Sequence, residues 1–185
     1  MINFLLAVLV YLSFVILIFV LKINKKADKK TKIRTVVIPV CAFFLQLLIE
    51  WIFYMVLFVF GDDKSIYISG SMIINAIEIL IPFLTVAIVG WLNGCSQKIG
   101  IISLISILFV ILSFVMKYIY SDYVFKMSDE ITNLLYENPD SISYLDSLTK
   151  AEDLDWFYKV VLVLNVGPAL LLEIYMIVKA KGKKN

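Results

Sequence analysis

Apolar residues in this chain come in five long runs, with the charged residues gathered in the stretches between them. Residues 2–21, 36–60, 71–92, 99–120 and 156–178 are the runs, each of twenty positions or more. A helix rises about 1.5 Å per residue, so about twenty apolar residues cross the roughly 30 Å hydrocarbon core of a bilayer. Such a helix also satisfies its own backbone N–H and C=O groups, as hydrocarbon demands. The pattern therefore predicts an all-α fold, a polytopic integral membrane bundle of five transmembrane helices. The runs use up nearly the whole length, so residues 1–185 form a single membrane domain with one short extramembrane element at 121–155.

The stretches between the runs set the orientation. "KINKKADKKTKIR" carries Lys22, Lys25, Lys26, Lys29, Lys30, Lys32 and Arg34, and the tail "KAKGKK" carries four more lysines. Clusters of this kind stay in the cytoplasm. Five spans then put the N-terminus outside and the C-terminus inside, with "GDDKS" and 121–155 outside and "NGCSQK" inside. The first run lacks a basic leader, is too long for a secretory signal and is followed directly by Lys22, so it is expected to remain as an anchor. Lysine far outnumbers arginine and isoleucine is abundant, a bias typical of AT-rich bacterial genes. The plasma membrane is the expected location. A cysteine placed at Ser143 should label from outside in intact cells, and Cys95 should not.

At 62% hydrophobic and 17% charged residues the chain lies far from the composition of soluble domains, and no nucleic-acid partner is implied. Histidine is absent, which removes the commonest general base and the His-containing metal and haem sites. No cofactor is implied. Cys41 and Cys95 have no C-x-x-C spacing and fall on the reducing side, so a disulfide is not expected.

The candidate chemistry lies in polar residues within the apolar runs. Charge in hydrocarbon is costly, so these side chains should face protein or a water-filled cavity. Gln46, Glu50 and Tyr54 recur every fourth residue in the second run, and Ser71, Asn75, Glu78, Pro82 and Thr85 share one helical face in the third. Ser103, Ser106, Ser113 and Lys117 form a stripe in the fourth, and Tyr158, Asn165 and Glu173 in the fifth. The first run is apolar nearly all round and is expected at the periphery of a bundle made by the other four.

Glu50 and Glu78 fall at similar depth. Pro82 removes the hydrogen bond to the carbonyl four residues earlier, that of Glu78, and Gly167-Pro168 does the same to Leu164 beside Asn165. Kinked helices that offer carbonyls beside acids are how many transporters hold Na⁺ or a proton near the midplane. Glu78, Glu50, Asn75, Gln46, Lys117, Asn165 and Glu173 are the candidate ion- or proton-binding residues, with Pro82, Gly167 and Pro168 as kinks. Each has a structural alternative. The prolines and glycine serve packing, Lys117 pairs with Glu50 or Glu78, a carboxyl protonated beside its neighbour acts as helix glue, and Glu173 reaches the interfacial lysines. The serine stripe equally suits close helix packing.

Residues 121–155 hold nine acidic and two basic positions, with two amphipathic patterns broken at Asn138-Pro139. Two short helices are expected there, as a cap, a lure for cations, a protein-binding surface or a plain connection. No Ca²⁺-loop pattern is present. Two functions follow. One is a proton- or cation-coupled carrier or conduit, working as a homo-oligomer or in a larger membrane complex. The other is a non-catalytic accessory or immunity-type protein that binds an extracytoplasmic partner through 121–155. An enzyme would rest on the Glu50/Glu78 pair alone and is disfavoured.

Overall fold

A computed structural model of the chain describes residues 2–60, 63–95, 100–137 and 152–182. They form five helices, α1 (Ile2–Val20), α2 (Lys29–Phe60), α3 (Lys64–Leu92), α4 (Gly100–Glu137) and α5 (Glu152–Gly182). There is no strand among the described residues. Four stretches are long and apolar enough to cross a membrane: all of α2, all of α3, Ile105–Lys126 of α4 and Lys159–Ala180 of α5. Leu9–Val20, the corresponding part of α1, is shorter.

The helix ends follow local sequence chemistry. Asp28 begins α2, its carboxylate accepting from the Thr31 backbone N–H at 3.1 Å. Hydrogen bonds from Thr31, side chain first and backbone second, hold that carboxyl below the usual range, so it remains a charged cap at neutral pH. Asp63 caps α3 by accepting from the N–H groups of Ser65 and Ile66 at 2.7 and 3.1 Å. The ends of α1 and α3 share another device. A residue of positive φ, Lys22 in one and Gly94 in the other, turns the chain so that Ile23 N–H reaches the Ile18 carbonyl and Cys95 N–H that of Gly90. Both following residues then pack against the apolar core. Asn93 ties this end of α3 to α2 by donating to Thr35 Oγ1 at 2.8 Å.

α3 lies at the centre and packs against all four other helices. Around it run α2, α1, α5 and α4, each touching the next, while α2 and α4 both flank α3. The apolar core is built by Val10, Phe14 and Ile18 of α1, Val86 and Val89 of α3, and Val166, Ala169, Leu172 and Met176 of α5. At Gly90 an added Cβ would run into Met176, and at Gly167 it would meet the Phe109 ring, so both glycines permit close helix approach.

Two expectations need correction. α1 is not peripheral, because Val10, Tyr11, Phe14 and Ile18 form a helical stripe buried against α2, α3 and α5. A run apolar all round gives no sign of which face will be covered. The first of the two short helices expected in 121–155 is not a separate element, since α4 continues from the fourth run to Glu137. No glycine or proline interrupts 101–138, and hydrocarbon thickness limits a span without ending a helix. Its 38 residues make a rod of about 57 Å, far longer than the bilayer core. The extension is braced on α3 by Lys64–Asp122 at 2.6 Å and by the tilted contact of the Tyr67 and Phe125 rings, centroids 5.8 Å apart. The expected break at Asn138-Pro139 and the second short helix lie outside the described residues.

Cys95 is only 3% exposed, so its silence toward a thiol reagent would report burial whichever side it faces. Lys25 is exposed in the α1–α2 turn and Ser65 in the first turn of α3, and these serve better. In intact cells Ser65→Cys should react with a membrane-impermeant maleimide, and Lys25→Cys only after permeabilisation. The reverse pattern would invert the topology.

Candidate intramembrane carboxylate site

The polar stripes meet in the bundle as two hydrogen-bonded runs, each ending on a carboxylate. In the first, the Tyr11 hydroxyl of α1 donates to Gln46 Oε1 of α2 at 2.6 Å. Gln46 Nε2 in turn donates to Glu50 Oε1 at 2.6 Å, one turn along the same helix. In the second, Asn75 Nδ2 of α3 donates to Ser113 Oγ of α4 at 3.0 Å, and Ser113 donates to Asn165 Oδ1 of α5. Asn165 Nδ2 closes the run on Glu78 Oε2 of α3 at 2.6 Å. A serine hydroxyl has one proton, so Ser113 accepts from one asparagine while donating to the other.

Glu78 acts on Glu50 electrostatically from one run to the other. All five helices contribute to the two runs. Asn75, Ser113 and Asn165 are almost wholly buried, and Glu50 and Glu78 half-buried. α3 brings Asn75, Glu78, Pro82 and Thr85 inward on one face, while the α2 stripe turns outward, from buried Gln46 through half-buried Glu50 to exposed Tyr54. Pro82 sits buried in mid-helix and has no N–H to offer the Glu78 carbonyl.

The amide partners determine what the site can do. Asn165 and Gln46 are neutral donors, and a neutral carboxyl retains a carbonyl oxygen that accepts. Either glutamate can gain or lose a proton without giving up its amide hydrogen bond. Lys117 stands with its ammonium 5.7 Å from the Tyr120 ring centroid and acts on Glu50 electrostatically. Contact ion pairs Lys64–Asp122 and Lys126–Asp122 lie near the start of α3.

Glu173 is enclosed by protein. It is 3% exposed, and Ser13 Oγ of α1 donates to its Oε2 at 3.0 Å. It lies eight residues from Asn165 on α5, about 12 Å along the axis, and forms a separate carboxylate station. Gly167 works as a contact point against Phe109, and Pro168 lines an apolar cavity of about 240 Å³ with Ile79, Leu80, Phe83, Ser106, Ile107 and Val110. The Ser106 hydroxyl is buried there without a hydrogen-bond partner. The side chains of Ser103 and Tyr158 lie outside those described.

Tyr11 and Ser13 are the site residues that sequence reasoning missed. With Asn3 they are the polar side chains of the first run, and that rarity was the available signal. No group of three or more His, Cys, Asp or Glu residues suited to a metal occurs among the described residues. Comparison with protein-family models, with curated proteins and with solved structures finds no match.

Proposed function

We propose that the chain is a five-span plasma-membrane protein, with its N-terminus outside, that works as a proton- or cation-coupled carrier in a homo-oligomer or larger membrane complex. The observation that carries this reading is the pair Glu50 and Glu78, mutually interacting in the apolar zone and each held by a neutral amide. Each carboxylate opposes ionisation of the other, so proton uptake at one favours release from the other. Glu173, held by Ser13 nearer the lysine-rich end, offers a further station. Five spans make a lean carrier, and assembly with other chains supplies the rest of the enclosure.

The test is proton flux in proteoliposomes, driven by imposed pH, Na⁺ and K⁺ gradients. Saturable flux above that of protein-free vesicles is expected. Its absence from folded protein would sink the carrier reading.

The length of α4 favours a second reading. A rod projecting well past the membrane, with acidic residues along it, suits an accessory or immunity-type protein that binds an extracytoplasmic partner. That reading predicts a partner that copurifies, and unchanged function in Glu50→Gln and Glu78→Gln.

A further inference from the structure

Glu50 belongs to two surroundings at once. Inside the bundle Gln46 holds its Oε1. Outside, Glu50 borders an open hollow of about 580 Å³ on α2, together with Phe44, Leu47, Leu48, Trp51 and Tyr54. All six residues belong to α2, so the hollow is a shallow one on the outer face of that helix. Trp51 is 59% and Tyr54 50% exposed, so both side chains border the acyl chains.

The lining restricts what would enter. A small hydrated cation cannot shed its water to cross hydrocarbon, and a neutral apolar molecule would leave the carboxylate unmatched. An organic cation with apolar substituents partitions into the bilayer, lays its positive charge against aromatic faces and meets a carboxylate beside them. We propose that this hollow binds a lipophilic organic cation, a quaternary ammonium or phosphonium, with Glu50 as its counter-charge and Trp51, Tyr54 and Phe44 as its aromatic wall.

The proposal deepens the proton-carrier reading and rests on it, because cation and proton then compete for one carboxyl. Three ionisable groups face Glu50 from neighbouring helices: Tyr11 of α1, Glu78 of α3 and Lys117 of α4. Glu78 adds to the attraction for a cation and Lys117 opposes it. Binding should therefore weaken as pH falls and the carboxyl pair fills with protons.

The experiment is calorimetric titration of the full chain in nanodiscs with tetraphenylphosphonium, at about pH 6 and about pH 8, beside proton flux measured without any organic cation. Saturable binding is expected, weaker at the lower pH by up to about tenfold per unit in the range where the carboxyl titrates. Glu50→Gln should weaken it at least about tenfold, and Trp51→Leu, which retains the carboxyl, by about three- to tenfold, in the range of a cation–π contact. Thermal melts check that both variants fold. If Glu50→Gln fails to fold, loss of affinity in Trp51→Leu together with the pH dependence supports the site. Binding that is absent from the wild type, or unchanged in both variants, overturns it. Glu78-dependent proton flux without tetraphenylphosphonium binding overturns the cation site and leaves the carrier standing. Glu50-dependent binding without flux supports the site and removes the carrier reading.

Discussion

Glu78→Gln is expected to lower proton flux in proteoliposomes by about a hundredfold, the low end of what a positioned acid–base group supplies. The substitution keeps volume and shape and removes only the exchangeable carboxyl. The glutamine Oε1 can accept from Asn165 Nδ2 where the carboxylate oxygen did, so the run through Ser113 to Asn75 can persist. The fold should be retained, with little change in thermal stability. Glu50→Gln should also reduce flux, because Glu50 shares the pair's protons. Glu173→Gln should have the smallest effect of the three, since that carboxylate stands apart with Ser13. Pro82→Ala should raise helix stability by restoring an N–H to the Glu78 carbonyl, yet impair flux by removing that carbonyl from the site. Equal losses from Glu50→Gln, Glu78→Gln and Glu173→Gln would reject this ordering and point to a general structural fault.

How far the site could be read from the sequence depends on contrast. Asn75, Glu78, Gln46, Glu50 and Asn165 stand out because hydrocarbon gives a polar side chain few reasons to be present, and their helical spacing assigns each to a face. That argument does not say which faces meet. Ser113 illustrates the limit. A serine in a small-residue stripe usually means close packing, yet here its hydroxyl joins Asn75 to Asn165. Tyr11 and Ser13 escaped because an apolar first run drew attention to lipid contact, while tyrosine passes readily for an interfacial residue. The α4 extension escaped because span ends were set by bilayer thickness, a property of the solvent and not of the chain. Lys22 shows the same limit at finer scale: it adopts the positive φ that glycine usually supplies, and only the covered Ile23 beyond it explains why.

Gly167→Leu should produce the largest loss of stability, about 1–3 kcal/mol and at the upper part of that range for overpacking. Two effects of opposite sign compete at this position. Glycine in a helix interior costs about 1 kcal/mol relative to alanine, so propensity alone predicts that any side chain here stabilises α5. The contact predicts the reverse, because a Cβ at Gly167 would lie 2.5 Å from both Cδ1 and Cε1 of Phe109. A flexible chain end could swing aside, but a ring seated between α4 and α5 must move as a plane. The contact should therefore outweigh propensity, mildly in Gly167→Ala and strongly in Gly167→Leu. The strain also has a direction. Phe109 lies one turn before Ser113 on α4, and Gly167 two residues after Asn165 on α5, so forcing the helices apart here stretches the hydrogen bond that carries the network to Glu78. Thermal melts of Gly167→Leu, Phe109→Ala and the double variant form the cycle that checks this. Space vacated by the ring should return most of the stability lost to the leucine, giving a coupling energy well above the few tenths expected of independent sites. A Gly167→Leu protein that melts with the wild type would show instead that α4 and α5 do not press together at this point.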